Sequence, residues 1–131
     1  MSGRSSGILA DTSVWIEFFK QRSGTGDRLE ALILEGSIWV CGVVLFELVQ
    51  GLKSDTERVK ILGTVSHLPY VEMTPALWQK AGDLSSSIRK KGLTIPLSDI
   101  LIAAVAIEHN LQIFTLDGHF EQIHEVKLYQ S

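Results

Sequence analysis

The sequence predicts an α/β domain with a parallel sheet of four to five strands and helices on both faces. Short apolar runs that suit buried strands alternate with longer stretches in which apolar residues recur at helical spacing. Strands separated by helices favour a parallel sheet that is covered on both sides. The length of 131 residues, 45% of them hydrophobic and 21% charged, suits one globular core and is too short for two.

The first strand is predicted at residues 8–10 and is followed by two helices. Residues 12–20 place their apolar side chains on one side of a helix. Asp27 and Glu30 form a capping pair that opens the second helix, and Gly36 ends it.

The second strand, residues 38–41, leads into a third helix at residues 43–52. The segment Ser54-Asp55-Thr56-Glu57 has the pattern of a capping box and predicts a fourth helix that extends to Val65. A third strand follows at residues 70–73. This part of the chain therefore repeats the alternation of strand and helix.

The last part of the chain predicts two longer helices. Thr74-Pro75 supplies an N-cap and a proline at the first helical position, and this helix extends to Lys91 before Gly92. Ser98 is expected to cap the next helix, residues 99–109, which is apolar nearly all round and should be buried. Asn110 suits a left-handed cap after it. Strands at 112–115 and 126–129 complete the sheet.

The remaining composition limits the class of protein. Residues 1–7 contain no apolar stretch, so we expect a disordered N-terminal extension or a cloning remnant rather than a signal peptide. The domain is then expected over residues 8–131. The longest apolar run, residues 100–107, is too short to span a bilayer. A single cysteine, Cys41, excludes a disulfide framework and a thiolate zinc site. We expect a cytoplasmic protein without a membrane partner.

Four acidic residues are predicted to meet at one edge of the sheet. Asp11 follows the first strand and Asp117 follows the fourth, so both emerge at the carboxyl edge, where such sheets bind ligands. Asp99 lies in the first turn of the buried helix, and Glu47 lies among apolar residues of another helix. Each has an ordinary explanation alone: a turn, a complement to the helix dipole, or a carboxylate with a buried partner.

Together these four acids point to a bound cation. Two carboxylates about 4 Å apart repel by roughly 4 kcal/mol at an effective dielectric of 20. No lysine or arginine lies close to the acids in the sequence. A hard divalent cation would remove the repulsion, and Mg²⁺, with Mn²⁺ as a substitute, suits oxygen ligands. The net charge of −3 is weak evidence against a nucleic-acid substrate, because the acidic excess is concentrated at this one site.

Four segments carry a resemblance to a known family. They are ILADTSVWI (residues 8–16), FELVQG (46–51), DILIAA (99–104) and TLDGHF (115–120). In their order and spacing they resemble the motifs of PIN-domain ribonucleases, above all the VapC-type toxins of toxin–antitoxin pairs. The resemblance extends over the chain from Ile8, and all four acidic positions match.

The resemblance implies a metal-dependent endoribonuclease that hydrolyses RNA phosphodiester bonds with metal-activated water. It assigns Asp11, Glu47, Asp99 and Asp117 to a Mg²⁺ or Mn²⁺ site, with Asp11 and Asp99 as the most direct ligands. Ser13 and Thr115 match positions that support such a site by hydrogen bonding. It also implies a homodimer and a cognate VapB-type antitoxin whose C-terminal segment covers the active site.

Two other functions remain open at this point. A non-catalytic PIN-type interaction module would use the same fold only to bind a partner. A receiver-like phosphotransfer domain shares the size and the alternation, but it needs a second acid beside Asp11 and a lysine after a late strand. Thr12-Ser13 and Asp117 stand at those places.

Other polar residues give weaker signals. Arg89, Lys90 and Lys91 could hold RNA phosphates, although cations at the end of a helix ordinarily complement its dipole, and we favour that interpretation. The histidines are scattered without metal-ligand spacing. His119, which follows the fourth motif, is interpreted as a surface residue.

Overall fold

The computed structural model describes residues 7–20 and 23–130. The strands are β1 (Ile8–Ala10), β2 (Ile38–Cys41), β3 (Tyr70–Val71), β4 (Gln112–Phe114) and β5 (Lys127–Leu128). The helices are α1 (Thr12–Phe19), α2 (Gly24–Leu34), α3 (Gly42–Gln50), α4 (Asp55–Val65), α5 (Pro75–Lys90) and α6 (Leu97–Glu108), and a 3₁₀ helix spans Gly118–Gln122. The extension predicted at residues 1–7 lies outside the described residues except for Gly7, whose carbonyl accepts a hydrogen bond from the Gln112 N–H at 3.1 Å.

The five strands form one parallel sheet in the order β3-β2-β1-β4-β5. The central strand β1 pairs with β2 and β4, so that Ile8 lies opposite both Ile38 and Gln112. The chain first moves outward to β3 and then returns across the sheet to β4. Because such crossovers are right-handed, α1–α4 and α5–α6 cover opposite faces. The predicted fold class is confirmed.

The elements β1 and α6 contribute continuous buried stretches to the core. All three residues of β1 are buried, and in α6 every residue from Asp99 to Ala106 is buried. An apolar helix without a polar face can only lie between other elements, and α6 contacts α3, α5 and β4. Among the described residues, none of the helices combines the length and the apolar character that crossing a membrane requires.

Two caps are as predicted. The Ser54 hydroxyl accepts from the Glu57 N–H at 3.1 Å at the start of α4, and the Thr74 hydroxyl accepts from the Leu77 N–H at 3.2 Å at the start of α5. The helix ends also agree, because Gly92 follows α5 with φ +79° and Asn110 follows α6 with φ +54°.

The start of α2 differs from the prediction. The helix begins at Gly24, and the Ser23 hydroxyl caps it by accepting from the Gly26 N–H at 3.2 Å. Asp27 lies within the first turn, so the predicted capping pair is wrong. Gly26 is needed where α2 meets α1, since a Cβ there would lie 2.8 Å from the Glu17 carbonyl oxygen.

The start of α6 also differs. The helix begins at Leu97 after Pro96, which makes no side-chain cap, and Ser98 lies in the first turn. The prediction of Ser98 as the cap is therefore wrong. The proline sets an extended backbone directly before the helix, so the first turn starts without an oxygen cap. Strands β3, β4 and β5 are also shorter than predicted, and β4 ends at Phe114, one residue before Thr115.

Candidate active site

The predicted acids lie where β1 and β4 end and on the two helices beside them. Asp11 directly follows β1 and occupies the N-cap position of α1. Asp117 follows β4 and caps the 3₁₀ helix. Asp99 lies in the first turn of α6, and Glu47 lies in the middle of α3. The parallel sheet thus directs two acids to its carboxyl edge, and α6 and α3 bring the other two near them.

The Asp11 carboxylate is buried, with 4% of the residue exposed. One of its oxygens accepts from the Ser13 N–H at 2.7 Å and from the Ser13 hydroxyl at 2.5 Å. The other oxygen accepts from the Thr115 hydroxyl at 2.5 Å. Burial raises the pKa of Asp11 above its ordinary value, and these hydrogen bonds oppose only part of the shift.

The two hydroxyls that hold Asp11 are themselves oriented by backbone N–H groups. The Ser13 hydroxyl accepts from the Leu116 N–H at 3.1 Å, and the Thr115 hydroxyl accepts from the Asp117 N–H at 2.9 Å. Each hydroxyl therefore has its proton free for the carboxylate. These contacts join the start of α1 to the segment after β4, and they involve Ser13 and Thr115, the two hydroxyls that the resemblance assigned to support of the site.

The Asp99 carboxylate is held by a different kind of partner. Its Oδ2 lies 2.8 Å from Nδ1 of His119, and the same nitrogen lies 2.9 Å from Oδ1 of Asp117. Burial raises the pKa of Asp99; the hydrogen bond to His119 opposes that shift, and the nearby charges of Asp117 and Asp11 add to it. The hydrogen bond to Asp99 in turn raises the pKa of His119.

Glu47 has a partner of its own. Its Oε1 accepts from the Thr12 hydroxyl at 2.5 Å, and Thr12 is the neighbour of Asp11 at the start of α1. In the part of the chain that the structure describes, one group of side chains could share a metal ion. It consists of Asp99, Asp117 and His119, whose ligand atoms all lie within 4.8 Å of one another. The four acids therefore do not form one tight cluster. Asp99, Asp117 and His119 form a compact group. Asp11 and Glu47 are outside it, and each accepts a hydrogen bond from a threonine hydroxyl, Asp11 from Thr115 and Glu47 from Thr12.

Two residues of this arrangement were not predicted. His119 was interpreted as a surface residue, and 41% of its side chain is exposed, but its ring also bridges two acids. Thr12 was considered only as part of the first motif. The usable signal for His119 is the short segment Asp117-Gly118-His119, since a turn of this kind brings its first and third residues together. The Asp117 carboxylate accepts from the His119 N–H at 2.9 Å.

Of the three cations at the end of α5, Arg89 lies beside the start of α6. Arg89 and Lys90 are in the last turn, and Lys91 follows it. Arg89 lines a groove of 230 Å³ together with Leu97 and Ile100, the residues two before and one after Asp99. Among the described residues, no acid lies within 4.0 Å of these three cations.

The charge balance of the site favours a cation. Among the described residues, no lysine or arginine forms an ion pair with any of the four acids, and His119 is the one basic partner. Asp11 and Asp99 are both buried and both have raised pKa values. A divalent ion beside them would compensate charges that the chain itself compensates only in part.

The chain is similar to known proteins over nearly its whole length. The PIN domain family matches residues 8–126. The chain is 30% identical to ribonuclease VapC1 of Methanocaldococcus jannaschii, over 96% of this chain and 89% of that protein. It is 28% identical to ribonuclease VapC11 of Mycobacterium tuberculosis, over 95% of this chain and 96% of that protein. The DNA-bound VapBC structure from Salmonella typhimurium superposes with a TM-score of 0.83 at 21% identity, over 95% of this chain and 98% of that one.

Proposed function

The chain belongs to the PIN-domain family and to its VapC ribonucleases, and on that premise we propose that it cleaves RNA with the acids of the carboxyl edge. The observation that supports this most is the burial of Asp11 and Asp99 at one edge, where no lysine or arginine of the described residues pairs with them. A folded chain keeps such charges where a ligand compensates them.

The residues fit a hard divalent ion. Asp99 and Asp117 offer carboxylate oxygens near each other, and Asp11 lies close enough for its charge to raise the pKa of Asp99. We propose Mg²⁺, with Mn²⁺ as a substitute, because these ions bind carboxylates and keep open positions for water and phosphate. When bound, such an ion supplies an acidified water and stabilises charge on the phosphate.

Each residue of the site has a separate task in this proposal. Asp11, with its position locked by Ser13 and Thr115, and Asp99 are the most direct ligands, and Asp117 beside Asp99 completes the shell. Glu47, oriented by Thr12, completes the acidic site and would accept a proton from a water molecule. The hydroxyls keep the carboxylates from rotating away and so maintain the geometry between turnovers.

RNA is proposed to approach along the side of α6 that faces the end of α5. Arg89, Lys90 and Lys91 are exposed there without an acidic partner in the described chain, and Arg89 shares a groove with the first turn of α6. Phosphates that bind these cations would direct the strand towards Asp99. Complementing the dipole of α5, the role favoured from the sequence, is compatible with this one.

A VapB-type antitoxin and a homodimer complete the proposal. Three large apolar side chains next to site residues are exposed: Phe46 at 63%, Leu97 at 71% and Leu116 at 57%. A partner that covers the acids would also bury these three apolar side chains, and a basic side chain of that partner would complement the acidic charge. The Salmonella neighbour is itself a VapBC complex.

The test measures cleavage of a panel of RNAs by the full chain with Mg²⁺, with Mn²⁺ and with EDTA. We expect cleavage that needs the ion and that Asp11→Asn abolishes, while the exposed Asp27→Asn retains it. Undiminished cleavage by Asp11→Asn would show that the site is elsewhere.

The same measurements distinguish the two other functions. Absence of cleavage by the unaltered chain, together with no Mn²⁺ binding, would favour the non-catalytic interaction module. Stable labelling by a small phosphodonor would favour the receiver-like alternative, although Thr115, Leu116 and Asp117, not a lysine, follow β4.

A further inference from the structure

A groove beside the acidic edge is not used by the proposed function. It has a volume of about 520 Å³ and lies between α2 and the segment after β4, where Thr25, Arg28, Phe114, Thr115 and Tyr129 line it. We propose that this groove binds one unpaired nucleotide of the RNA strand, with the Arg28 guanidinium on the phosphate of that nucleotide. This inference rests on the proposed function, because it assigns the form of RNA that the same site accepts.

The position of the groove places a bound nucleotide beside the acids. Thr115 lines the groove, and its hydroxyl donates to the Asp11 carboxylate at 2.5 Å. Leu116, which also lines the groove, directly precedes Asp117. A nucleotide in this groove is therefore a close neighbour of the phosphate that the acids would cleave.

The groove also lies across the sheet from the cations at the end of α5. Arg28 belongs to α2, whereas the groove that contains Arg89 is lined by residues of α5 and α6, on the other face of the sheet. The acids lie at the edge between these two faces. An RNA strand that crosses the edge would meet one arginine on each side of the acids, and phosphate contacts of this kind set the position of a strand.

The Arg28 side chain is held in place while most of its donors stay available. Its Nε donates to the Tyr129 hydroxyl at 2.6 Å, and its guanidinium carbon lies 5.7 Å from the centre of the Tyr129 ring. Among the described residues, no carboxylate lies within 4.0 Å of the Arg28 guanidinium. A guanidinium has five N–H donors in a rigid fork that matches phosphate, and the contact with Tyr129 uses one of them. The remaining donors suit a phosphate that enters the groove.

Tyr129 is itself fixed, which makes it a positioning residue for Arg28. Its N–H donates to the Ile113 carbonyl at 2.8 Å. Its ring packs on Phe114, which is 6% exposed, with 5.0 Å between the two ring centres. The guanidinium is therefore oriented before RNA binds, and this lowers the cost of ordering the side chain on binding.

The size and the lining of the groove favour an unpaired nucleotide. Its volume lies in the range of about 300–1,000 Å³ that is common for sites of small organic molecules. A base inside a duplex is paired and stacked and cannot enter such a groove. Phe114 and Tyr129 provide an aromatic wall of the kind on which unpaired bases stack. Thr25 and the exposed Gln130 add hydrogen-bonding groups for the edge of the base.

The experiment measures binding of RNA to the full chain by fluorescence anisotropy in EDTA, so that metal-dependent cleavage does not interfere. The probes are a short single-stranded oligoribonucleotide and a blunt RNA duplex of the same length. Arg28→Gln removes the charge, Arg28→Lys keeps the charge without the fork, and Tyr129→Phe removes only the hydroxyl that holds Arg28. Arg58→Gln is the matched control, because Arg58 is an exposed arginine of α4 outside the groove.

We expect Arg28→Gln to weaken binding of the single strand by about tenfold, in line with the loss of hydrogen bonds to a charged group. Arg28→Lys and Tyr129→Phe should weaken it by about two- to fivefold, because they keep the charge and lose the fork or its orientation. In Arg28→Gln the slope of log affinity against log salt should fall in magnitude by about 0.7, as for one phosphate of a single strand. Binding of the duplex, and binding of either probe by Arg58→Gln, should change little. In cleavage with Mn²⁺, the Arg28 and Tyr129 variants should raise KM with little change in kcat.

Three results would overturn the proposal. Equal losses for the single strand and the duplex would mean that no unpaired nucleotide is needed. An equal loss in Arg58→Gln would mean that only the total charge matters. Unchanged binding of the single strand by Arg28→Gln, or no binding by the unaltered chain, would leave the groove to a protein partner.

The groove and the nuclease site can fail separately. Cleavage that depends on Asp11, with unchanged RNA binding in Arg28→Gln, would reject the groove and retain the nuclease. RNA binding that depends on Arg28, without cleavage by the unaltered chain in Mn²⁺, would retain the groove and reject the nuclease.

Discussion

Asp11 and Asp99 lie at the same edge of the sheet and are similarly buried, at 4% and 8% exposure, yet the chain holds them in different ways. Among the described residues, the hydrogen bonds that the Asp11 carboxylate accepts come from neutral groups, which include the Ser13 N–H and the Ser13 and Thr115 hydroxyls. Asp99 accepts from His119, a ring that can carry charge. We call Asp11 with its hydroxyl donors the Asp11 side of the site, and Asp99 with His119 the Asp99 side. On the Asp11 side the carboxylate is held in one orientation but its negative charge is not neutralised. On the Asp99 side the imidazole can neutralise the charge, and a cation can replace the imidazole in that role.

This contrast separates two requirements of a metal-dependent site. A carboxylate must be held in one orientation, and hydroxyl donors achieve this without neutralising it. The accumulated negative charge must also be tolerable when the ion is absent, and an imidazole lessens the repulsion between Asp99 and Asp117. The two sides of the site divide these requirements between them.

The largest expected effect comes from removing one carboxylate on each side. Asp11→Asn and Asp99→Asn should each lower the rate of RNA cleavage by more than about a hundredfold, above the loss typical of outer-shell partners. They should differ at His119, whose pKa falls towards its ordinary value in Asp99→Asn because the main hydrogen bond that raises it is lost. NMR titration of the imidazole measures this. An equal fall in Asp11→Asn would contradict the separation of the two sides.

A smaller effect is expected from the residue that joins the two sides. The Thr115 hydroxyl donates to Asp11 and accepts from the Asp117 N–H, so Thr115→Val removes both contacts. Activity should fall by about 10–100-fold, and the free energy of unfolding by about 1–3 kcal/mol, because a buried carboxylate loses a donor. Thr115→Ser keeps the hydroxyl and should retain most of both. If Thr115→Ser loses as much activity and stability as Thr115→Val, the two hydrogen bonds of the hydroxyl do not account for the effect.

The positions of Asp11 and Asp117 could be predicted because both depend on the same rule, that parallel strands end at one edge. The caps at Ser54 and Thr74 were predictable because they depend on contacts three residues apart. The α/β class followed in the same way from the apolar pattern of each segment. Features that depend on residues close together in the chain could therefore be predicted from the sequence alone.

The side-chain hydrogen bonds that distinguish the two sides of the site could not be predicted in this way. The link between Thr12 and Glu47 joins residues 35 apart, and the link between His119 and Asp99 joins residues 20 apart. Both depend on how α3 and α6 pack against the sheet. The cap at Ser98 was wrong for a different, local reason, because the helix already begins at Leu97, directly after Pro96.

The surroundings of the two sides also differ in charge. Arg89, Lys90 and Lys91 lie near the Asp99 side, and replacing all three with alanine should raise KM for RNA by about tenfold with little change in kcat, since phosphate contacts act in binding. If each cation holds one phosphate of single-stranded RNA, the slope of log affinity against log salt falls in magnitude by about 2. Lys53→Ala with Arg58→Ala is the control on α4 and the loop before it. An equal effect of this control pair would show that only the overall charge matters.

The smallest effect expected is the pH dependence of stability in the metal-free protein, and it distinguishes the two sides most directly. The pKa of Asp11 is raised above 3.8 by burial, so the folded state binds its proton more strongly than the unfolded state does. Stability therefore falls as the pH rises above 3.8 and through the raised value, and Asp11→Asn should lack this fall. The pKa of His119 is raised above 6.5, mainly by its hydrogen bond to Asp99, so its contribution is fully present below pH 6.5 and is lost as the pH rises through the raised value. The measurement is the free energy of unfolding by urea in EDTA at a series of pH values. As the pH rises above 3.8, the free energy of the unaltered chain should fall relative to that of Asp11→Asn. As the pH rises above 6.5, the difference between the unaltered chain and His119→Asn should become smaller. Differences that are constant across pH would mean that neither group titrates differently in the folded protein, and the contrast between the two sides would then be one of geometry alone.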